Sequence, residues 1–86
     1  MTIAGFYRTT VGAEIDLLLE IPGHGLRAVE IKRSLSAKPG KGFYIACEDL
    51  KPDRRFLVNA GSDRYPIRDG VDAIGLAEMA ALLAAL

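Results

Sequence analysis

Between Glu14 and Ile21 the chain alternates, with Ile15, Leu17 and Leu19 pointing one way and Glu14, Asp16, Leu18 and Glu20 the other. This period of two predicts a half-buried strand with an acidic face. Ahead of it, Ile3 to Thr9 contains Phe6 and Tyr7, which suit a pleated surface, and Thr10-Val11-Gly12 supplies a turn. Pro22-Gly23-His24-Gly25 breaks the second strand, and Leu26 to Arg33 then alternates again, with Leu26, Ala28, Glu30 and Lys32 on one face. Two successive hairpins are expected.

The period changes after Arg33. Pro39 suits the first turn of a helix, and Phe43, Ala46, Cys47 and Leu50 recur at helical spacing until Lys51-Pro52 ends the pattern. Arg55 to Ala60, centred on Phe56-Leu57-Val58, reads as a strand closed by Gly61-Ser62-Asp63. Tyr65-Pro66-Ile67 reads as a short edge strand, because proline cannot donate to a central ladder, and Arg68-Asp69-Gly70 turns the chain once more. The stripe Leu76, Met79, Leu82, Leu83 and Leu86 predicts a closing helix. The expected fold class is α+β, in the order β-β-β-α-β-(β)-α, with the helices against a largely antiparallel sheet.

Eighty-six residues fit one small domain, and an apolar half with a charged quarter fits a packed core rather than a disordered chain. Eleven acidic and eleven basic residues balance, so no global field draws nucleic acid or an anionic membrane, and any such binding has to come from a local patch. The single cysteine, Cys47, excludes an intrachain disulfide and a cysteine-based zinc site. A reducing cytoplasm is the expected setting, with no membrane partner.

If the hairpin between the second and third strands is tight, Glu14, Asp16 and Glu20 meet Glu30 and Lys32 across it. Directly opposed β-carbons lie roughly 4.5–5.5 Å apart. Several carboxylates so close need a balancing positive charge, and hard oxygen donors suit Mg²⁺ or Mn²⁺. On spacing alone a plainer reading stands equal to this one: solvated charges on an open sheet face, with Lys32 pairing Glu30 or Asp16.

The wider text adds a resemblance. A strand carrying Asp16, a hairpin, and a strand reading Glu30-Ile31-Lys32 before a helix resembles the PD-(D/E)XK phosphodiesterase core. The run Phe6-Tyr7-Arg8-Thr9, Gly12-x-Glu14-Ile15-Asp16, Val29-Glu30-Ile31-Lys32, Lys41-Gly42 and Tyr65-Pro66-Ile67 is similar to the C-terminal domain of unknown function in prokaryotic AAA-type ATPases. The fold's usual first helix and a phosphate-binding Gly-x-x-x-x-Gly-Lys-Ser/Thr loop have no counterpart here, so a domain excised from a longer ATPase-containing protein is expected, with a stand-alone remnant as the alternative.

The resemblance implies metal-assisted phosphodiester hydrolysis. Asp16, Glu30 and the Ile31 carbonyl would coordinate Mg²⁺ or Mn²⁺, Glu14 would add a ligand, and Lys32 would orient or help deprotonate the attacking water. Nucleic acid is the expected partner, contacted by Arg33, Ser34, Lys38 and Lys41 in the basic segment from Arg27 to Lys41. The alternative is a catalytically inactive module of the same fold that docks on an ATPase domain, regulates it, or forms a homodimer. His24, between turn glycines, and Cys47, on an apolar helical stripe, carry no expected chemistry, and Phe43 and Tyr44 are expected to be core.

Overall fold

The computed structural model describes residues 3–10, 12–33 and 38–86. Three strands come first: β1 (Ile3–Arg8), β2 (Glu14–Ile21) and β3 (Gly25–Ile31). Helix α1 (Lys41–Leu50) follows, then β4 (Arg54–Asn59), β5 (Tyr65–Pro66), a 3-10 turn (Arg68–Gly70), β6 (Val71–Gly75) and helix α2 (Leu76–Ala84). All the strands join one sheet in the order β1-β2-β3-β4-β6-β5. This is the expected α+β composition with one strand more than the sequence pattern predicted.

That strand is β6. It has no polar and apolar alternation because it lies inside the sheet: Val71, Ala73, Ile74 and Gly75 are all buried. It also lacks punctuation, since Gly75 passes directly into α2. β5 falls at the sheet edge, where Pro66 needs no ladder hydrogen bond. The expectation of a largely antiparallel sheet needs correction in the middle. β1-β2, β2-β3 and β5-β6 are antiparallel, but β3-β4 and β4-β6 are parallel. α1 makes the crossover between β3 and β4 that a parallel pair requires.

The two helices cover opposite faces. On one, Phe43, Ala46 and Cys47 of α1 pack with Ala13, Ile15, Ala28, Leu57 and Val71. On the other, Met79 of α2 packs with Val29, Phe56, Val58 and Ile74, and Leu82 and Leu83 flank them half-buried. Only the middle of the α2 stripe is therefore covered; Leu76 and Leu86 stay exposed. α1 comes so close to the β1-β2 turn that a β-carbon on Gly42 would collide with the Gly12 carbonyl oxygen.

The phase of β2 departs from strict alternation. Ile15 and Leu18 both pack on the α1 side, whereas Leu17 packs on the α2 side. The register explains this. Gly5 pairs with Leu18 and Tyr7 with Ile15, so Phe6 faces both Asp16 and Leu17, and β2 bulges at Asp16.

Candidate functional site

The bulge decides where Asp16 goes. The β2-β3 ladder runs from Ile21↔Gly25 to Leu17↔Val29, and beyond it Asp16 uses its side chain in place of its backbone. Its Oδ2 accepts the Ile31 N–H at 2.9 Å. A strand amide points in the plane of its sheet, so the Asp16 carboxylate lies in the seam between β2 and β3.

Glu30 precedes Ile31 and follows the phase of Ala28, toward α1. Its carboxylate accepts the backbone N–H of Gly40 at 3.0 Å through Oε2, and Oε1 lies 3.4 Å from Lys32 Nζ. The Glu30 side chain is only 12 % exposed. Gly40 immediately precedes α1, a helix with no side-chain cap and no acid in its first turn. Glu30 therefore supplies from β3 the acceptor and the negative charge that helix starts commonly take from their own residues. Lys32 is fixed from its backbone, because its N–H donates to Val58 O at 2.9 Å and continues the parallel pairing past Ile31.

Asp16, Glu30 and Lys32 thus gather around two successive residues of β3, at the carboxyl end of the first parallel strand. The other expected acids stay apart. Glu14 pairs with Arg8 at 3.0 Å on the side of β1, and Glu20 sits opposite Leu26 toward the far end of the hairpin. Among the described residues, no three carboxylate, histidine or cysteine side chains form a group able to hold a metal ion.

Of the expected phosphate contacts, Arg33, Lys38 and Lys41 are exposed, Lys41 as the first residue of α1, and Ser34 lies outside the described residues. Arg33 and Lys32 border a hollow of about 450 Å³ with Ile31, Asn59, Gly61 and Leu76, at the carboxyl ends of β3, β4 and β6. Open sheets with parallel strands commonly bind ligands at those ends. The sequence pattern had no signal for this hollow, because it depends on β6. Cys47 is core as expected: burial pushes its thiol pKa up, Arg55 pulls it down less strongly, and Glu30 and Glu48 add to the rise.

A family match covers residues 2–79, and the family is described as a domain of unknown function, DUF4143. The chain belongs to DUF4143. This DUF4143 chain is 33 % identical over 69 residues to an uncharacterized protein of Mycobacterium bovis and, at the same identity and length, to one of Mycobacterium tuberculosis. Each alignment takes in 80 % of this chain and 15 % of the mycobacterial protein. No solved structure matches it. Among the described residues, no helix of the DUF4143 domain is long and apolar enough to cross a membrane.

Proposed function

We propose that this DUF4143 domain is a nuclease-like module of the PD-(D/E)XK type, acting on the phosphodiester bonds of DNA or RNA with a divalent metal, within a longer protein that also carries an ATPase. The observation behind this reading is that the Asp16 carboxylate sits on the Ile31 amide, next in the chain to Glu30 and its ion pair with Lys32. The order of elements supports it too: Asp16 on one strand, a hairpin, Glu30-x-Lys32 at the end of the next, then α1.

The donor set fits Mg²⁺ or Mn²⁺ at the protein's minimum share. Mg²⁺ keeps several waters and commonly takes one or two carboxylates plus substrate phosphate oxygens, so it does not need a cage of three acids. Asp16 and Glu30 would hold the ion, with the Ile31 carbonyl as the backbone ligand, and Glu14 has no part because Arg8 engages it. When bound, the metal polarises the phosphoryl oxygen and lowers the pKa of its water. Lys32 presents an ammonium that would orient the attacking water and offset the negative charge developing on the phosphoryl oxygens. Glu30 holds that ammonium in place, and the Ile31 and Gly40 amides hold the two carboxylates.

The same amide contacts favour a second reading. Both carboxylates already serve the fold, Asp16 by closing the seam at the bulge and Glu30 by capping α1. In that reading the domain keeps the fold but serves docking, regulation or dimerisation.

Isothermal titration of Mg²⁺ and Mn²⁺ into wild type, Asp16→Asn and Glu30→Gln separates the two, together with nicking of plasmid and single-stranded DNA. The catalytic reading expects metal binding and nicking in wild type and neither in the variants. A wild type that binds no metal and nicks nothing leaves the docking reading in place.

A further inference from the structure

A second hollow, beside the start of α1, has no part in the chemistry above. It encloses about 300 Å³ between Lys38, Pro39, Tyr44, Ile67 and Arg68. That is the lower end of the range of small-ligand pockets. Two cations, an aromatic ring and two apolar side chains line it, and no carboxylate does among the described lining residues.

Arg68 is held ready in this hollow. Its guanidinium carbon stands 4.8 Å from the centre of the Tyr44 ring. Its backbone belongs to the 3-10 turn between β5 and β6, which is closed by the Ile67 N–H donating to Val71 O at 2.7 Å. The turn places Asp69 at φ 59, left-handed, and the Arg55 guanidinium clamps the Asp69 carbonyl at 3.2 Å. The Asp69 carboxylate lies 3.6 Å from Arg68 Nε, an exposed pair of the kind worth little. A guanidinium stacked on an aromatic ring presents its remaining N–H donors in a fixed plane, which matches two oxygens of one phosphate.

We infer that this hollow binds a phosphate of a single nucleic-acid strand, with Arg68 and Lys38 on its oxygens and the adjoining sugar or base against Tyr44, Pro39 and Ile67. The inference rests on the phosphodiesterase reading for its choice of ligand. Lys38 and Pro39 run directly into Gly40, whose amide holds Glu30, so the hollow flanks Asp16, Glu30 and Lys32. Arg33 and Lys32 border the 450 Å³ hollow at the carboxyl ends of the parallel strands. Tyr44, expected from sequence to be core alone, has one side of its ring in the core and the other under Arg68.

The test is fluorescence anisotropy of a labelled oligothymidylate with the whole chain, in calcium in place of magnesium, over a range of salt. Arg68→Gln is compared with Lys51→Asn, which removes the same charge from a left-handed position that asparagine tolerates. Circular dichroism checks that both fold. Arg68→Gln is expected to weaken binding roughly tenfold and to flatten the log–log salt dependence by about 0.7, the share of one phosphate contact on a single strand. Lys51→Asn should stay within about twofold of wild type, and Arg68→Lys, which keeps charge but loses the planar fork, should fall between.

Equal losses in Arg68→Gln and Lys51→Asn overturn the proposal, as does a wild type that does not bind the oligonucleotide. Free 5′-dTMP binding as tightly as the oligonucleotide overturns the strand-flanking role and assigns the hollow to a mononucleotide. Metal titration of Arg68→Gln keeps the two readings apart. Unchanged metal binding with lost strand binding supports both, whereas strand binding that depends on Arg68 in a chain that binds no metal leaves this site standing without the catalytic one.

Discussion

The sheet has two halves that share β3, and they are built differently. β1, β2 and β3 form an antiparallel meander whose outer strand is largely exposed, with Phe6 72 % accessible. β3, β4 and β6 form a parallel half whose middle strand is buried on both faces, by α1 through Leu57 and by α2 through Phe56 and Val58. In the meander, acids and cations sit on the strands themselves. In the parallel half they gather at strand ends, since the faces are covered. Asp16 comes from the first half and Lys32 directly follows the shared strand, so the candidate site lies where the two regimes meet.

The largest expected effect falls in the parallel half. Leu57 is fully buried beside Ala28, Ala46 and Val71, so Leu57→Ala removes packing that little else can fill. It should cost about 2–5 kcal/mol in urea denaturation, whereas Phe6→Ala on the outer strand should cost less than about 0.5 kcal/mol. Equal costs for the two would erase the contrast between the halves.

Gly42→Ala tests how closely α1 is fitted to the meander. In a free helix, alanine would gain about 1 kcal/mol over glycine. Here the added methyl meets the Gly12 carbonyl, a backbone atom that cannot rotate away. Strain of about 1–3 kcal/mol should outweigh the propensity gain and lower the melting temperature. A rise in melting temperature would mean that α1 can shift off the turn without loss.

The difference between the halves also explains what the sequence disclosed. The meander was legible because each of its turns carries glycine or proline and its strands largely alternate: Glu14 to Ile21 was bounded correctly, and the breaker read over Pro22-Gly23-His24-Gly25 ran one residue long, since Gly25 opens β3. β6 was not legible, because a strand buried on both faces has no alternation and Gly75 leads straight into α2. Without β6 the parallel pairing could not be inferred, nor could the hollow at its carboxyl end. At the site, strand spacing predicts that Asp16 and Glu30 lie on neighbouring strands, but not that Asp16 takes the Ile31 amide or that Glu30 takes the Gly40 amide. The bulge beside Phe6 changes the phase of β2 between Ile15 and Leu18, and a bulge leaves no mark in a hydropathy pattern. Glu14, counted with the acidic group by strict parity, is drawn outward by Arg8.

Glu30 lies on the shared strand, and two substitutions divide its structural work from its proposed chemistry. Glu30→Ala leaves the Gly40 amide and the Lys32 ammonium without this acceptor and should cost about 0.5–2 kcal/mol, the usual range for loss of a helix cap. Glu30→Gln keeps an oxygen for Gly40 and should recover at least about half of that loss in the same denaturation experiment. Metal binding should fail in both. If Glu30→Gln is as unstable as Glu30→Ala, the charge itself holds the start of α1, and the carboxylate is less available to a cation than the phosphodiesterase reading needs.

The smallest effect belongs to the outer meander. Arg8 and Glu14 face each other across β1 and β2 at 3.0 Å with side chains 68 % and 49 % exposed, so water screens the pair and both side chains lose rotamer freedom in making it. A double-mutant cycle of Arg8→Ala and Glu14→Ala should return a coupling of about 0.2–1 kcal/mol, diminished by salt. Glu14→Ala should also leave any Mg²⁺ titration unchanged, since Glu14 is turned toward β1 and Asp16 toward β3. Loss of metal binding in Glu14→Ala would instead mean that Glu14 leaves Arg8 and joins Asp16 when a cation arrives, and the site would then extend from the shared strand into the exposed half of the sheet.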